Sequence, residues 1–309
     1  MLGVQALTID ATRMFVERRH LQNAADAAVL AAVSYLPAGD PTALGHSRDA
    51  AIAYASLNGV QITAADVTFT TVGQANDRVR VDTETDILFA FARTFGLTDG
   101  VVRAHATAQV GQLGARGGVL PLGVVPPVEG FQMGAVYCLT LRSSGNSHFC
   151  PNVLKADFQA LDIDNVGSSS TSVYRDRIAS GSLTTLRLGD IRSINSGGMN
   201  EPTQQGFQNR VGTNTDLFSQ VVEQRPECVG QPGCRYDVLD WDHPRIGFVA
   251  VVEDHTSTAT VIGFAIFFLE QNPGNGNIVG RFVETVVPGG AWAPFSGSAY
   301  GAYVVRLAE

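Results

Sequence analysis

The densest group of side chains able to bind a metal or move a proton is Asp237-Val-Leu-Asp-Trp-Asp-His243. Glu253-Asp-His255 follows one expected strand later. Asp237, Asp240 and Asp242 carry the hard oxygen donors that calcium takes, and His243 adds a nitrogen suited to a catalytic metal. Calcium needs about six or more oxygens, and this stretch lacks the regular Asp/Asn/Gly spacing of calcium loops. The competing reading is a solvated turn ahead of a strand, with Trp241 packed inward. Nucleophilic chemistry has less support. The chain has no Gly-x-Ser-x-Gly elbow, no His-Glu-x-x-His pair and no Gly-x-x-x-x-Gly-Lys phosphate loop. Ser168-Ser-Ser170 has no histidine near it in sequence, so a triad would have to assemble across the fold. The six histidines are scattered, and His148 is most simply a hairpin residue. The sequence therefore implies no enzyme and no cofactor.

The four cysteines pair by proximity as Cys138 with Cys150 and Cys228 with Cys234. The first pair brackets a hairpin turning at Ser144-Gly-Asn146, and the second closes a short loop turning at Pro232-Gly233. Four cysteines allow three connectivities, and a four-cysteine zinc site is the rival. Neither pair has the close C-x-x-C spacing that structural zinc favours. Two disulfides would place the chain in an oxidising compartment outside the cytoplasm. The net charge of −8 argues against nucleic acid, which calls for a basic face.

Residues 1 to 36 read as one long helix. Val4, Leu7, Ala11, Met14, Phe15, Leu21, Ala25, Ala28, Ala32 and Tyr35 fall close to one stripe, and no Gly or Pro interrupts Val4 to Leu36. At about 1.5 Å per residue such a helix reaches nearly 50 Å, which suits a packing or anchoring device. A turn at Pro37–Pro41 precedes a second helix over Thr42–Asn58, closed by Gly59. Val67–Val72 and Arg78–Thr83 alternate as strands around the loop Gly73–Asp77. Ile87–Phe95 reads as a short buried helix stopped by Gly96, with Phe89, Phe91 and Phe95 in the core. Val101–Val110 is strand-like again.

Gly111–Gly118 reads as a linker, so the expected domains are 1–114 and 119–309. Beyond it the composition turns to β. Ile246–Val252, Ala259–Leu269 and Ile278–Val287 are the strongest strands, with a loop at Pro273–Asn277 and a last strand over Tyr300–Leu307. Ser168–Asn214 reads as surface connections with one short helix near Glu201–Arg210. The expected class is α+β: a long N-terminal helix with a small helix and antiparallel-sheet domain, then a mostly β, sandwich-like domain.

Ile9-Asp-Ala-Thr-Arg13, Leu21-Gln-Asn-Ala-Ala-Asp26 and the alanine run after it resemble the start of TadG-like proteins of Flp (tight-adherence) pilus assembly. Asp66–Gln109, ending Arg103-Ala-His-Ala-Thr-Ala-Gln109, resembles that family's first extracytoplasmic domain. Its C-terminal region is similar in Phe158–Asp164, Gly181, Leu188–Asp190, Gly198–Asn200, Pro202-Thr203, Arg210, Pro244-Arg245, Ile262–Leu269 and Gly280–Phe282. The chain departs from the family at Ala156-Asp-Phe-Gln159, where Gly-Asn-Phe-Gly is common, and it lacks the von Willebrand-type motif Asp-x-Ser-x-Ser.

In that family an apolar transmembrane helix precedes the first motif. Here only Met1–Thr8 stand ahead of Ile9, and no window reaches the roughly 20 apolar residues of a span. Either an anchor lies upstream of Met1 or this member has lost it. The resemblance implies a non-enzymatic pilus-assembly or minor-pilin-like protein of the bacterial cell envelope, extracytoplasmic and anchored to the inner membrane in its full-length form. Its partners would be pilus or envelope assembly proteins, met through the small-residue stripe Leu21, Ala25, Ala28 and Ala32. The alternative is a secreted or surface binding module with structural calcium at Asp237, Asp240 and Asp242.

Overall fold

The structure is a computed structural model. It describes residues 2–142, 150–167, 170–195, 198–225, 229–230, 235–255, 257–274, 276–297 and 300–308. The α+β class holds, and the chain divides into two compact units, Met1–Val110 with Val305–Glu309, and Gly111–Val304.

The first unit begins with α1, Leu2–Val33, and α2, Pro41–Leu57. Asp40 caps α2 by accepting the Ala43 amide at 2.9 Å, with Pro41 in the first turn where no amide donor is needed. The helix ends at Leu57 with Asn58 as its C-cap, and Gly59 takes φ +77°, the left-handed conformation that releases the chain. Strands β1, Val67–Thr70, and β2, Arg78–Leu88, pair antiparallel. The loop between them is tied by the buried Asp77, whose carboxylate accepts the amides of Val72, Gly73 and Gln74. Strand β3, Asp99–Arg116, pairs β2 from Arg78↔Gln109 to Leu88↔Asp99.

Two expectations change here. Ile87–Phe95 is not one buried helix: β2 runs to Leu88, and a 3-10 turn covers Ala92–Phe95 before Gly96 at φ +86°. Gly111–Arg116 is not a linker either. Those glycine positions continue β3 because the neighbouring chain comes too close for a side chain: a Cβ at Gly111 would lie 2.3 Å from the Ala293 carbonyl oxygen.

The second unit carries β4 (Leu120–Val125), β5 (Val136–Leu141), β6 (Leu154–Ala160), α3 (Thr171–Ser180), β7 (Leu186–Arg187), β8 (Ile191–Ser193) and α4 (Asn200–Val211). It continues with α5 (Phe218–Val221), β9 (Val222–Gln224), β10 (Tyr236–Val238), β11 (Ile246–Asp254), β12 (Thr258–Gly274), β13 (Asn277–Val283), β14 (Thr285–Val286) and β15 (Ala291–Ala293). The last strand, β16, is Ala302–Ala308. Strands β11, β4, β6, β5, β13 and β12 pair in that order, and β11 also pairs β12 from Ile246↔Phe268 onward. The sandwich-like arrangement expected of this half thus takes the form of a sheet that returns on itself.

Side chains alternate along each strand, so consecutive residues enter different cores. Leu122, Leu139, Phe158, Val249, Phe267 and Phe282 share one core with Ile178 of α3 and Phe207 of α4. Ile246, Phe248, Ala250 and Val252 join Phe264, Ile266 and Phe268 in another. This double burial accounts for the unbroken apolar runs at β11 and β12. Helix α3 was not foreseen: it is polar overall and buries only Tyr174 and Ile178.

The polar residues of the C-terminal resemblance are mostly braces of this unit. Asp162 accepts the Val166 and Gly167 amides, and Asp164 takes Arg177 at 2.5 Å and the Thr184 amide at 2.9 Å. Arg210 donates to the carbonyls of Ile178, Ala179 and Ile246. Arg245 donates to the carbonyls of Asn214, Leu269 and Glu270. Each ties backbone groups of neighbouring segments together, at a net gain of about 1 kcal/mol per hydrogen bond.

Candidate docking surface of the first unit

The alanine face of α1 is fully used inside its own unit. Leu21, Ala25, Ala28 and Ala32 are at most 1 % exposed, as are the neighbouring Ala24, Val29 and Val33. Helix α1 packs against α2 and β2, and small side chains let those elements come close. Hydrogen bonds fix the register: Ser47 Oγ donates to the Ala32 carbonyl at 2.8 Å, Thr83 Oγ1 to the Leu21 carbonyl at 3.3 Å. The stripe assigned above to an external partner is therefore occupied by the chain itself. Periodicity marks a face for burial but does not say what buries it.

The other half of α1 behaves differently. Ile9, Met14, Phe15 and Val16 are exposed, Phe15 by 68 %. One polar residue among them is not: Asp10 is 4 % exposed and reaches the segment after β2. Its carboxylate accepts the amides of Ala90, Phe91 and Ala92 at 2.8, 2.9 and 2.8 Å. Burial alone would push the Asp10 carboxyl up, but those three amides and the charge of Arg13 outweigh it and hold it below its ordinary value. Arg13 adds a bond to the Leu88 carbonyl at 3.2 Å. The Ile9–Arg13 motif is thus a clamp on residues 88–92. An acid placed about two turns inside a helix gives no sign of that role in sequence.

What the clamp holds is apolar and open to solvent. Leu88, Phe91, Phe95 and Leu97 are exposed, Phe95 by 71 %, while Ala92 is buried and Phe89 is partly buried against Gly100. Phe91 and Phe95 were expected in the core. They lie in the connection closing the β2–β3 hairpin, where Phe89 donates its amide to the Thr98 carbonyl and the 3-10 turn points its large side chains outward. Among the described residues the exposed phenylalanines are Phe15, Phe91 and Phe95, all in the first unit.

The other candidate residues are not brought together. Asp237 pairs with Arg225 at 3.0 Å, Asp240 accepts the Asp242 amide at 3.0 Å, and Trp241 stacks on Phe248 with ring centroids 5.8 Å apart. Among the described residues no group of three or more His, Cys, Asp and Glu could hold a metal ion. His243 is buried, and both of its nitrogens are engaged. Nε2 meets Asp216 Oδ2 at 3.0 Å and Asn214 Nδ2 at 3.3 Å, while Nδ1 accepts the Arg245 amide at 3.3 Å. The His243 and Asn214 hydrogen bonds hold the Asp216 carboxyl below its usual value. This is a structural pair with no ring nitrogen left for a hydroxyl. His255 Nε2 lies 3.4 Å from Thr260 Oγ1.

Cys138 and Cys150 form a disulfide, with Cα atoms 6.0 Å apart. Cys228, Cys234, His148, Ser168 and the Ser144–Asn146 turn lie outside the described residues. No helix of the described residues is long and apolar enough to cross a membrane.

Comparison with known families agrees with the opening of the chain. Residues 1–35 match the family described as putative Flp pilus-assembly TadE/G-like. The Tad-type likeness read from Ile9–Arg13 and Leu21–Asp26 therefore stands over that segment, and it associates the chain with pilus assembly and the cell envelope. No curated protein and no solved structure matches the chain.

Proposed function

We propose that this protein is a non-enzymatic, extracytoplasmic component of pilus assembly that docks through the exposed N-terminal half of α1. The observation that carries the reading is the split character of α1 within the matched segment. Its C-terminal half is consumed by the first unit, while Ile9, Met14, Phe15 and Val16 are left apolar and uncovered. A long helix rooted at one end and apolar at the other is suited to lying beside further helices. The Cys138–Cys150 bridge supports an oxidising compartment, the periplasm or cell surface. Engagement of both His243 nitrogens supports the absence of hydrolytic chemistry at the best His–Asp pair.

The test is the double change Phe15→Glu with Val16→Glu in the native organism. Sheared pilus yield should fall about tenfold or more while the protein accumulates at its normal level, because neither side chain is buried. Undiminished pili in that strain would overturn the docking reading.

A further inference from the structure

One cleft of the second unit gathers arginines without acids. Its volume is about 440 Å³, and it is lined by residues 115–117, Thr185, Arg187 and residues 290–291. Small-molecule sites span about 300–1,000 Å³. Strand β3 brings the three segments together, with Ala115 opposite Arg187 of β7 and Ala291 of β15. The stretches 111–119, 181–189 and 285–293 contribute Arg116 and Arg187 and no Asp, Glu, Lys or His.

The two arginines differ in how they are held. The Arg116 guanidinium lies over the Phe248 ring, 4.1 Å from its centroid, and Nη1 donates to the Pro288 carbonyl at 2.7 Å. That single hydrogen bond leaves most of its five N–H donors unspent. Burial pulls the Arg116 guanidinium below its ordinary value, and no carboxylate counters the shift. Arg187 is exposed, and its side chain has no partner among the described residues. The neighbouring acids are already paired: Asp190 with Arg192 at 2.9 Å, Asp164 with Arg177 at 2.5 Å and Glu284 with Arg235 at 3.7 Å. Asp240 and Asp242 flank Trp241, which stacks on the same Phe248 ring, but both are exposed and neither lines the cleft. Two like charges sharing a cleft repel, a cost that an anion removes.

We propose that this cleft is an anion site, taking the phosphoryl or carboxylate group of a small molecule on Arg116 and Arg187, with the Thr185 hydroxyl as a further donor. The planar guanidinium fork matches the oxygens of either group and binds them by charge-assisted hydrogen bonds. The fixed Arg116 sets the position of the anion, and the exposed Arg187 closes on it. The site belongs to the second unit and does not rest on the docking reading of α1.

The experiment is isothermal titration calorimetry of the purified full chain with pyrophosphate and with malonate, at low and physiological salt. Saturable binding of at least one probe is expected, weakened about tenfold by Arg187→Gln and less by Arg187→Lys, which keeps the charge but not the fork. Thr185→Glu, which places a carboxylate in the cleft, should abolish it. Arg103→Gln, an exposed arginine of the first unit, should leave it unchanged. Arg187 and Thr185 are both exposed, so an unchanged melting temperature shows that the fold is retained. Preference for pyrophosphate assigns a phosphoryl ligand, preference for malonate a carboxylate, and equal binding a site that reads only the shared oxyanion. Absence of saturable binding by either probe overturns the proposal. So does binding that Arg187→Gln and Thr185→Glu leave intact, or that Arg103→Gln weakens as much, since that would be general attraction to arginine.

Discussion

The two units treat the same residue type in opposite ways. In Gly111–Val304 every described phenylalanine is buried or partly buried, with Phe158, Phe207, Phe267, Phe268 and Phe282 essentially sealed. In the first unit Phe15, Phe91 and Phe95 stand in solvent, and a buried carboxylate is committed to keeping the last two there. Burying a phenylalanine is worth about 1.5–3 kcal/mol, so leaving three exposed forgoes a sizeable part of a domain's stability. The second unit buries its phenylalanines in its own cores. The first leaves apolar surface that its own chain does not cover.

Several substitutions can break or sharpen that contrast. The largest effect belongs to the sealed ring of strands: Phe267→Ala should cost about 3–5 kcal/mol, read by denaturant unfolding. The opposite substitution in the buried half of α1 comes next. Ala28→Arg would force a charge into the α1–α2 packing and destabilise the first unit by about 3 kcal/mol or more. If Ala28→Arg instead leaves stability untouched, the stripe is free after all and the original assignment of it to a partner returns. Removing the Cys138–Cys150 bridge by the double serine change should cost about 3 kcal/mol through the freed loop, with a matching fall in melting temperature under reducing conditions.

Asp10→Ala acts locally. Amide exchange at Ala90, Phe91 and Ala92 should accelerate, with β11 and β12 unaffected. The same loosening should follow acidification. Asp10 has its folded-state value held below the ordinary 3.8, so the clamp is fully in place above that pH and is lost as pH falls through the lowered value. The smallest effect separates the units most sharply: Phe95→Ala should change stability by less than about 0.5 kcal/mol. A large loss at Phe95 would mean that the side chain is core and that the contrast is false.

Much of the fold was legible because its signals are local. Gly59 ends α2 through the left-handed geometry expected of it, and the turn before Thr42 marks its start, one residue after the observed Pro41. Strands β1, β2 and β3 and the runs at β11 and β12 follow from alternation and from apolar residues crowded on consecutive positions, although the helix expected between β2 and β3 is instead the end of β2 and a 3-10 turn. Cys138 and Cys150 were paired by nearness alone. The α4 helix stood near its expected place, whereas α3 was hidden by its polar surface, only Tyr174 and Ile178 facing inward.

The sequence by itself determined most of the longer elements, the α+β class and the Tad-like character of the opening helix, because propensity, capping and periodicity act over a few residues. Tertiary structure alone decided which apolar faces are covered. Leu21, Ala25, Ala28 and Ala32 and the phenylalanines after β2 carry equally apolar signatures, but the first set is sealed against α2 and β2 while Phe91 and Phe95 are left 43 % and 71 % exposed. It also decided that Gly111–Arg116 is strand, since only a neighbouring backbone 2.3 Å from an imagined Cβ explains that glycine. Burial depends on what the rest of the chain brings to a face, a long-range quantity that no local pattern contains. The clamp of Asp10 on residues 90–92, eighty positions away, is the plainest case.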